Sequence, residues 1–495
     1  MSVSEPKDPP AREGLRDFYI FVCAMAAAYV ALIWALSFPP MQDYPMRMFI
    51  AFAAATFDDP QYNWPQFFEL QNNYGSFSFT FWFIRAATPL FGIEAAGKMF
   101  LSLYVVLTAA FTLSEARRRR SAPWPLVFLL PLAFNQTYIL GLMGYFFSVP
   151  VLMLALRHFG SVIENPLTPR RLAAHLPFQV VIFLCHPFTS ALYAGFAALT
   201  GAFRRGRAAL RAAVLAGGFS AFFFLWFMYS RSAGGFEFRP HWWPLSATAE
   251  YFALMFTGMK ITGGADWVSV GLWCVAVGVP AYALFGGWAK FRPARLDAAM
   301  LTLALAGYFA LPFSPGPPYT YFNIRLLAVV YFLGALVLSY IPMSRRTGIF
   351  LVAVTAALSL QQGLLHKALS TETGSIRPLI AAMEPNEAVL ASVRSGRSEH
   401  IDPQFFYQFH DHAPEYYHFL KGGGAPVTLI SNPGFPIRYR SGADILGVRS
   451  TNPADFACCF RYIITRGDFQ TPETLGPYRK TVSSGLWTLF ELPRF

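Results

Sequence analysis

Charge is what this chain has least of. Asp, Glu, Lys and Arg together supply 13% of its 495 residues, about half the share usual in soluble globular domains, and a soluble protein of this length is thereby set aside. Cysteine is equally sparse, with five in all. Cys23, Cys185 and Cys274 fall in apolar stretches, where a thiol acts as a small apolar filler. Adjacent Cys458 and Cys459 are a pair that rarely closes without strain, so no disulfide framework is expected. There is no internal repeat and no low-complexity tract, which counts against a lipid or glycan transporter or flippase built from paired halves and leaves a non-catalytic envelope assembly factor as the other alternative to an enzyme. A continuous basic face and an aromatic-basic platform are both missing, and nucleic acid is excluded as a partner despite a net charge of +12.

What the chain does have is apolar surface. Hydrophobic residues make up 55% of it, Phe alone contributes 51, and apolar blocks of membrane-spanning length recur to about residue 365. The expected class is an α-helical polytopic membrane protein. The basic residues sit in short clusters between those blocks: Arg117 to Arg120, Arg157 with Arg170 and Arg171, Arg204 with Arg205, Arg207 and Arg211, Lys290 with Arg292 and Arg295, and Arg345 with Arg346. That spacing matches cytoplasmic loops under the positive-inside rule. The tail 1–17 has mixed charge, and the first apolar stretch, Phe18 to Phe38, lacks a small-residue cleavage site. It therefore reads as an uncleaved anchor with a cytoplasmic N-terminus.

With the basic clusters fixed inside, the piece Ser76 to Phe91, short and carrying Arg85, cannot cross without sending Arg117 to Arg120 outside. It reads as an interfacial or re-entrant helix. Residues 39–92 then form one large external loop holding Asp43, Asp58, Asp59 and Glu69. Outer turns follow near Asn135 to Gly144 and His186 to Thr189, then a span at Ala209 to Tyr229 and an external segment from Ser230 to Asp266. Spans near Trp267 to Trp288 and Ala298 to Phe313 precede an external turn from Pro315 to Arg325. Two more spans end near Leu365, giving about eleven in a membrane domain of residues 18–365. Beyond it apolar runs shorten to strand length at Ala388 to Val393, Pro426 to Ile430, Tyr462 to Thr465 and Leu486 to Glu491. Helix-like pieces lie between them at Ser375 to Met383 and His412 to Leu420. A small extracytoplasmic α/β domain over 366–495 is expected.

The most informative short stretch is Gln42-Asp43-Tyr44-Pro45, just past the outer end of the first span and flanked by Pro39 and Pro40. An acid held there is placed for chemistry at the lipid surface; equally, it suits a turn or a helix cap before the helix that Pro45 begins. Asp58-Asp59-Pro60 has residues to hold a divalent cation or orient an acceptor, and a turn before the proline is the plainer reading. Arg325 sits where a polar outer loop re-enters the membrane, suited either to a lipid phosphate or to snorkelling. Arg85, Arg231, Arg239 and Lys260 are secondary cations of the same kind. His186 stands in an apolar segment where an ionisable group is costly. Trp242 and Trp243 present rings for a sugar or for the membrane belt, and Tyr321 and Asn323 lie in the same outer turn as Arg325. His410, His412 and His418 lack a familiar metal-ligand spacing. Gly422 to Gly424 read as a turn, without the strand and helix of a phosphate loop.

Three motifs carry a family resemblance: Gln42-Asp43-Tyr44-Pro45, Gly141-Leu142-Met143-Gly144-Tyr145-Phe146 and Cys185-His186-Pro187. With the order of spans and outer loops, they resemble a bacterial branch of the GT-C superfamily of polyprenyl-phosphate-sugar-dependent membrane glycosyltransferases. That branch usually has His two residues after the proline, where this chain has Arg47. The resemblance implies a GT-C-like fold in the bacterial inner membrane, with the C-terminal domain in the periplasm. It also implies transfer, with inversion, of a sugar from a polyprenyl phosphate to an envelope lipid, glycan or protein. Asp43 is then the general base that takes the acceptor's proton. Arg325, Arg85, Arg231, Arg239 and Lys260 hold the departing phosphate. Asp58, Asp59, Glu69, His186, Trp242, Trp243, Tyr321 and Asn323 contact substrate. No metal ligand is assigned and a metal requirement is left open; a divalent cation is the one cofactor the acidic loop has residues for.

Overall fold

The computed structural model describes residues 10–71, 77–119, 123–165, 168–203, 207–232, 239–254, 294–314, 321–341, 343–393, 395–401, 408–423, 435–440, 460–467 and 477–493. The chain divides into two compact units. One comprises Met1–Leu32, Ser102–Tyr138 and Gly144–Gly363; the other comprises Ile33–Leu101, Ile139–Met143 and Leu364–Phe495. They are called the helical unit and the mixed unit below.

Four helices among the described residues are long and apolar enough to cross a membrane: Gly14–Ala35, Ile93–Arg119, Met143–Glu164 and Arg345–Ala382. Other apolar helices are shorter, with 17 residues each in Pro169–Cys185 and Pro187–Phe203, 16 in Arg295–Ala310 and 13 in Leu326–Leu338. A perpendicular crossing takes about 20 residues, so these do not pass the same test. Helix Arg207–Ser232 covers the span expected at Ala209 to Tyr229, whereas the one expected at Trp267 to Trp288 lies outside the described residues.

Proline explains much of the shortening. After Pro123 the chain makes a 3-10 turn, Trp124–Phe128, then the short helices Leu129–Ala133 and Gln136–Ile139, all built around Pro125 and Pro131. Each proline lacks a backbone donor, and the Pro131 carbonyl, which accepts from Phe134 N at 3.1 Å, takes a second hydrogen bond from Gln362 Nε2 at 2.9 Å. Tyr29 completes that buried link by donating to Gln362 Oε1 at 2.8 Å. Buried threonines solve the same accounting locally: Thr108, Thr112, Thr200 and Thr355 each donate to the carbonyl four residues back.

The helical unit also buries charge. Arg157 bonds Glu115 at 2.8 Å and Asp297 at 3.0 Å. Arg118 and Arg119 reach the same Glu115, and the Tyr340 hydroxyl donates to Asp297 at 2.9 Å. The cluster gathers one end each of helices Ile93–Arg119, Met143–Glu164 and Arg295–Ala310.

In the mixed unit, helix Tyr44–Ala55 is buried almost throughout and packs on helices Ser78–Phe91 and Glu415–Lys421. At 14 residues, Ser78–Phe91 is too short to span a bilayer. A four-stranded sheet of order β2-β4-β6-β5 follows the last long helix: β2 Val389–Val393, β4 Tyr462–Arg466, β5 Arg479–Ser484 and β6 Trp487–Glu491. β2 and β4 are parallel and the other pairs antiparallel, giving the small α/β element the spacing of apolar runs predicts. Strand β4 is buried at every position. A second pairing joins β1, Phe68–Leu70 in the large loop, to β3, Ile437–Tyr439. The run expected at Pro426 to Ile430 lies outside the described residues.

Candidate functional site

Asp43 occupies the N-cap position of helix Tyr44–Ala55, with Pro45 in the first turn, yet its side chain makes no capping hydrogen bond. What fixes it is the backbone. Gln42 N donates to Ile139 O at 2.8 Å and Asp43 N to Leu140 O at 3.2 Å. Gly141 follows with φ +75°, and a Cβ there would lie 2.8 Å from Asp43 N, so glycine is needed for both conformation and approach. The Gly141 carbonyl in turn accepts from Arg47 Nε at 3.0 Å.

Two cationic side chains face the Asp43 carboxylate. Arg47 Nη2 stands 3.6 Å from Oδ2, and His412 Nε2 stands 3.9 Å from Oδ1. Both distances exceed a hydrogen bond. The carboxylate, 16% exposed, is thus flanked by positive charge on both oxygens. His412 also contacts Glu415 Oε1 through Nδ1 at 3.2 Å. Burial alone would lower its imidazole, but Glu415, Asp43 and Asp411 outweigh that and raise it from 6.5 to about 9. Asp411 is lifted to about 6 by burial, with the Glu415 and Asp43 charges adding to it against His412. The amide oxygen of Gln42 is buried with no hydrogen-bond partner among the described residues.

The other acids expected in the large loop have structural occupations. Asp59 Oδ1 accepts from Gln61 N at 2.9 Å, around the single proline Pro60 as the plainer reading describes, and Asp58 beside it is exposed. Glu69 sits opposite Arg438 in the β1–β3 pair and bonds it at 2.8 Å. Arg85 is exposed on helix Ser78–Phe91. Among the described residues no group of three or more His, Cys, Asp or Glu is arranged to hold a metal. His410 and His412 serve different partners, Glu372 at 3.0 Å for the first and the Asp43–Glu415 pair for the second.

In the helical unit, Arg325 and His186 come together, with Arg325 Nη1 3.3 Å from His186 Nε2. His186 ends helix Pro169–Cys185, and its Nδ1 accepts from Phe188 N at 3.2 Å. A neutral imidazole has one acceptor nitrogen, so the ring satisfies only one of those two donors at a time. Tyr145 joins them: its hydroxyl donates to the Arg325 carbonyl and its ring meets His186 edge-on at 5.2 Å. Asn323 donates to Tyr308 O at 3.3 Å and buries an amide oxygen without a partner among the described residues. Trp243 stacks on Phe313 at 4.1 Å, Tyr321 meets the same ring edge-on at 5.3 Å, and Trp242, half exposed, donates to Ala310 O. Arg239 is exposed; Arg231 lies in helix Arg207–Ser232, and Lys260 lies outside the described residues.

Arg47 and His412 stand beside Asp43 in a role the sequence reading does not give them, Arg47 entering there only as a departure from the family pattern and His412 only among histidines without a metal-ligand spacing. Arg47 is four residues past Asp43 and thus on the same helix face, a legible signal. His412 is distant in sequence and only the fold brings it there.

No protein-family model matches this sequence, and neither does any curated protein. Among solved structures the chain is similar to the crystal structure of ArnT from Cupriavidus metallidurans bound to undecaprenyl phosphate. The two are 15% identical, with 94% of this chain and 97% of that chain covered and a TM-score of 0.38.

Proposed function

We propose that this chain is a membrane glycosyltransferase of GT-C type that moves a sugar from a polyprenyl phosphate to an acceptor on the extracytoplasmic face. The observation that carries the reading is the state of Asp43: a loop carboxylate at a helix head that does not cap the helix and instead faces Arg47 at 3.6 Å and His412 at 3.9 Å. A purely structural N-cap aspartate would bond the first-turn N–H groups. The motif resemblance assigns the base to the same residue.

In the proposed reaction the acceptor hydroxyl gives its proton to Asp43 as its oxygen attacks the anomeric carbon. The bond from that carbon to the phosphate oxygen breaks, the electron pair leaves with the lipid phosphate, and the configuration inverts. Base catalysis of this kind contributes about 10²- to 10⁴-fold. Arg47 and His412 orient the carboxylate from its two oxygens. Arg325, backed by His186 and Tyr145, is the proposed phosphate cation, in keeping with guanidinium's fit to phosphate oxygens. Asn323, Tyr321, Trp242 and Trp243 remain proposed substrate contacts, with Arg239, Arg231, Lys260 and Arg85 as secondary cations. Asp58, Asp59 and Glu69 are left with the turn and strand-pair roles described above.

The test is a proteoliposome assay with a labelled undecaprenyl-phosphate-linked sugar, and identification by mass spectrometry of lipid that co-purifies with the protein. Asp43→Asn should lower product formation by about 10²-fold or more while the protein still folds into the membrane. Full transfer by that variant removes Asp43 from the mechanism; movement of intact donor without product identifies a transporter instead.

A further inference from the structure

The segment carrying His412 is anchored two residues earlier by an arrangement the chemistry above does not use. His410 is fully buried, and its Nε2 lies 3.0 Å from Glu372 Oε1. Glu372, near the end of helix Arg345–Gly374, is held by three further donors. Arg466 Nη2 reaches it at 2.5 Å, Ser398 Oγ at 2.5 Å and Glu399 N at 3.4 Å. Arg466, 1% exposed, is itself gripped by the carbonyls of Ser395 and Arg397. From His410 onward the chain is a run of tight turns. Asp411 N donates to Gln408 O, Ala413 N to His410 O and Glu415 N to His412 O, at 2.9, 3.0 and 3.2 Å. Gly396 closes the other side, accepting from His410 N at 2.8 Å, and a Cβ on it would meet Asp411 Oδ1 at 2.5 Å.

A buried ion pair of this kind adds little net stability over apolar packing, because desolvation offsets the attraction. Its return is a fixed geometry. We infer that Glu372 is a positioning residue: by holding His410 it sets where His412 stands against Asp43. The inference deepens the reading of Asp43 given above and rests on it for its functional meaning. Glu372 touches neither His412 nor Asp43, so it acts through the rigid turns between residues 408 and 415. The charged groups that face His412 are Asp43 from the loop before helix Tyr44–Ala55, Glu415 from helix Glu415–Lys421, and neighbouring Asp411.

The experiment is a histidine titration by NMR on the full-length protein in detergent micelles, with Cε1 labelled and the His412 signal identified by its loss in His412→Gln. The wild-type midpoint is expected near 9. Glu372→Gln keeps oxygen and nitrogen positions for His410 and Ser398 while removing the charge, and should leave that midpoint near wild type. Glu372→Ala should lower it by about one unit or more, a tenfold change in the protonation equilibrium. Where Glu372→Ala fails to fold, Ser398→Ala removes one of the same contacts and should move the midpoint in the same direction by less. An unchanged midpoint in the folded Ala variants, or equal shifts in Glu372→Gln and Glu372→Ala, overturns the inference. The titration involves no sugar transfer, so failure of the proposed chemistry and failure of the positioning role are read from separate measurements.

Discussion

A carboxylate at a helix head ordinarily ties itself to the first-turn amides; at Asp43 the prolyl residue and the backbone bonds to Ile139 and Leu140 do the positioning instead, leaving the side chain to other partners. His412 is the partner with a measurable signature. Its value in the folded protein, about 9, lies above the ordinary 6.5. The proton it gains on folding therefore adds stability that is fully present below pH 6.5 and fades as the pH rises through about 9. Thermal unfolding should accordingly move to lower temperature between those two pH values, and His412→Gln should flatten the dependence. A slope that survives the substitution would assign the effect to another group. At this scale Asp43 and Arg325 are legible from motif and position, because each sits where a polar loop meets an apolar run. His412 is not, since 369 positions separate it from Asp43 and nothing in its local pattern of apolar residues marks a partner.

Among elements, the backbone around Gly141 bears most directly on the proposed site. Gly141→Ala would push a methyl group against Asp43 N and strain a positive φ, at a cost of about 1–2 kcal/mol for the conformation alone. Displacing the carboxylate by about 1 Å is expected to lower transfer by about 100-fold. Gly160→Ala, within helix Met143–Glu164 and with open space around its Cβ, is the contrasting case. It should raise thermal stability by up to about 1 kcal/mol and leave transfer unchanged. The strands show what pattern reading captures and what it does not. β2, β4 and β6 coincide with apolar runs, whereas β5 is Arg-Lys-Thr-Val-Ser-Ser, mostly exposed, and carries no alternation to detect. β1 has three residues and owes its existence to its partner β3, a tertiary cause that no local propensity encodes.

For the molecule as a whole, low charge content and clustered Arg foretell a helical membrane protein, and they also foretell where charge is buried. Arg157→Ala would leave Glu115 and Asp297, 1% and 2% exposed, facing each other without their common cation. A loss of about 3–5 kcal/mol is expected, seen as a lowered melting temperature in detergent; an unshifted melt would mean that Arg118, Arg119 and Tyr340 suffice. Pro123, Pro125 and Pro131 break an apolar run into short helices that hydropathy alone does not separate, whereas the break at Pro187 falls at the outer turn expected at His186 to Thr189. The mixed unit is drawn from three separated stretches of chain, Ile33–Leu101, Ile139–Met143 and Leu364–Phe495. During synthesis, then, Asp43 leaves the ribosome hundreds of residues ahead of the imidazole it faces. A nascent chain carries the acid without its finishing neighbour until residue 412 has followed it, which delays assembly of that pair.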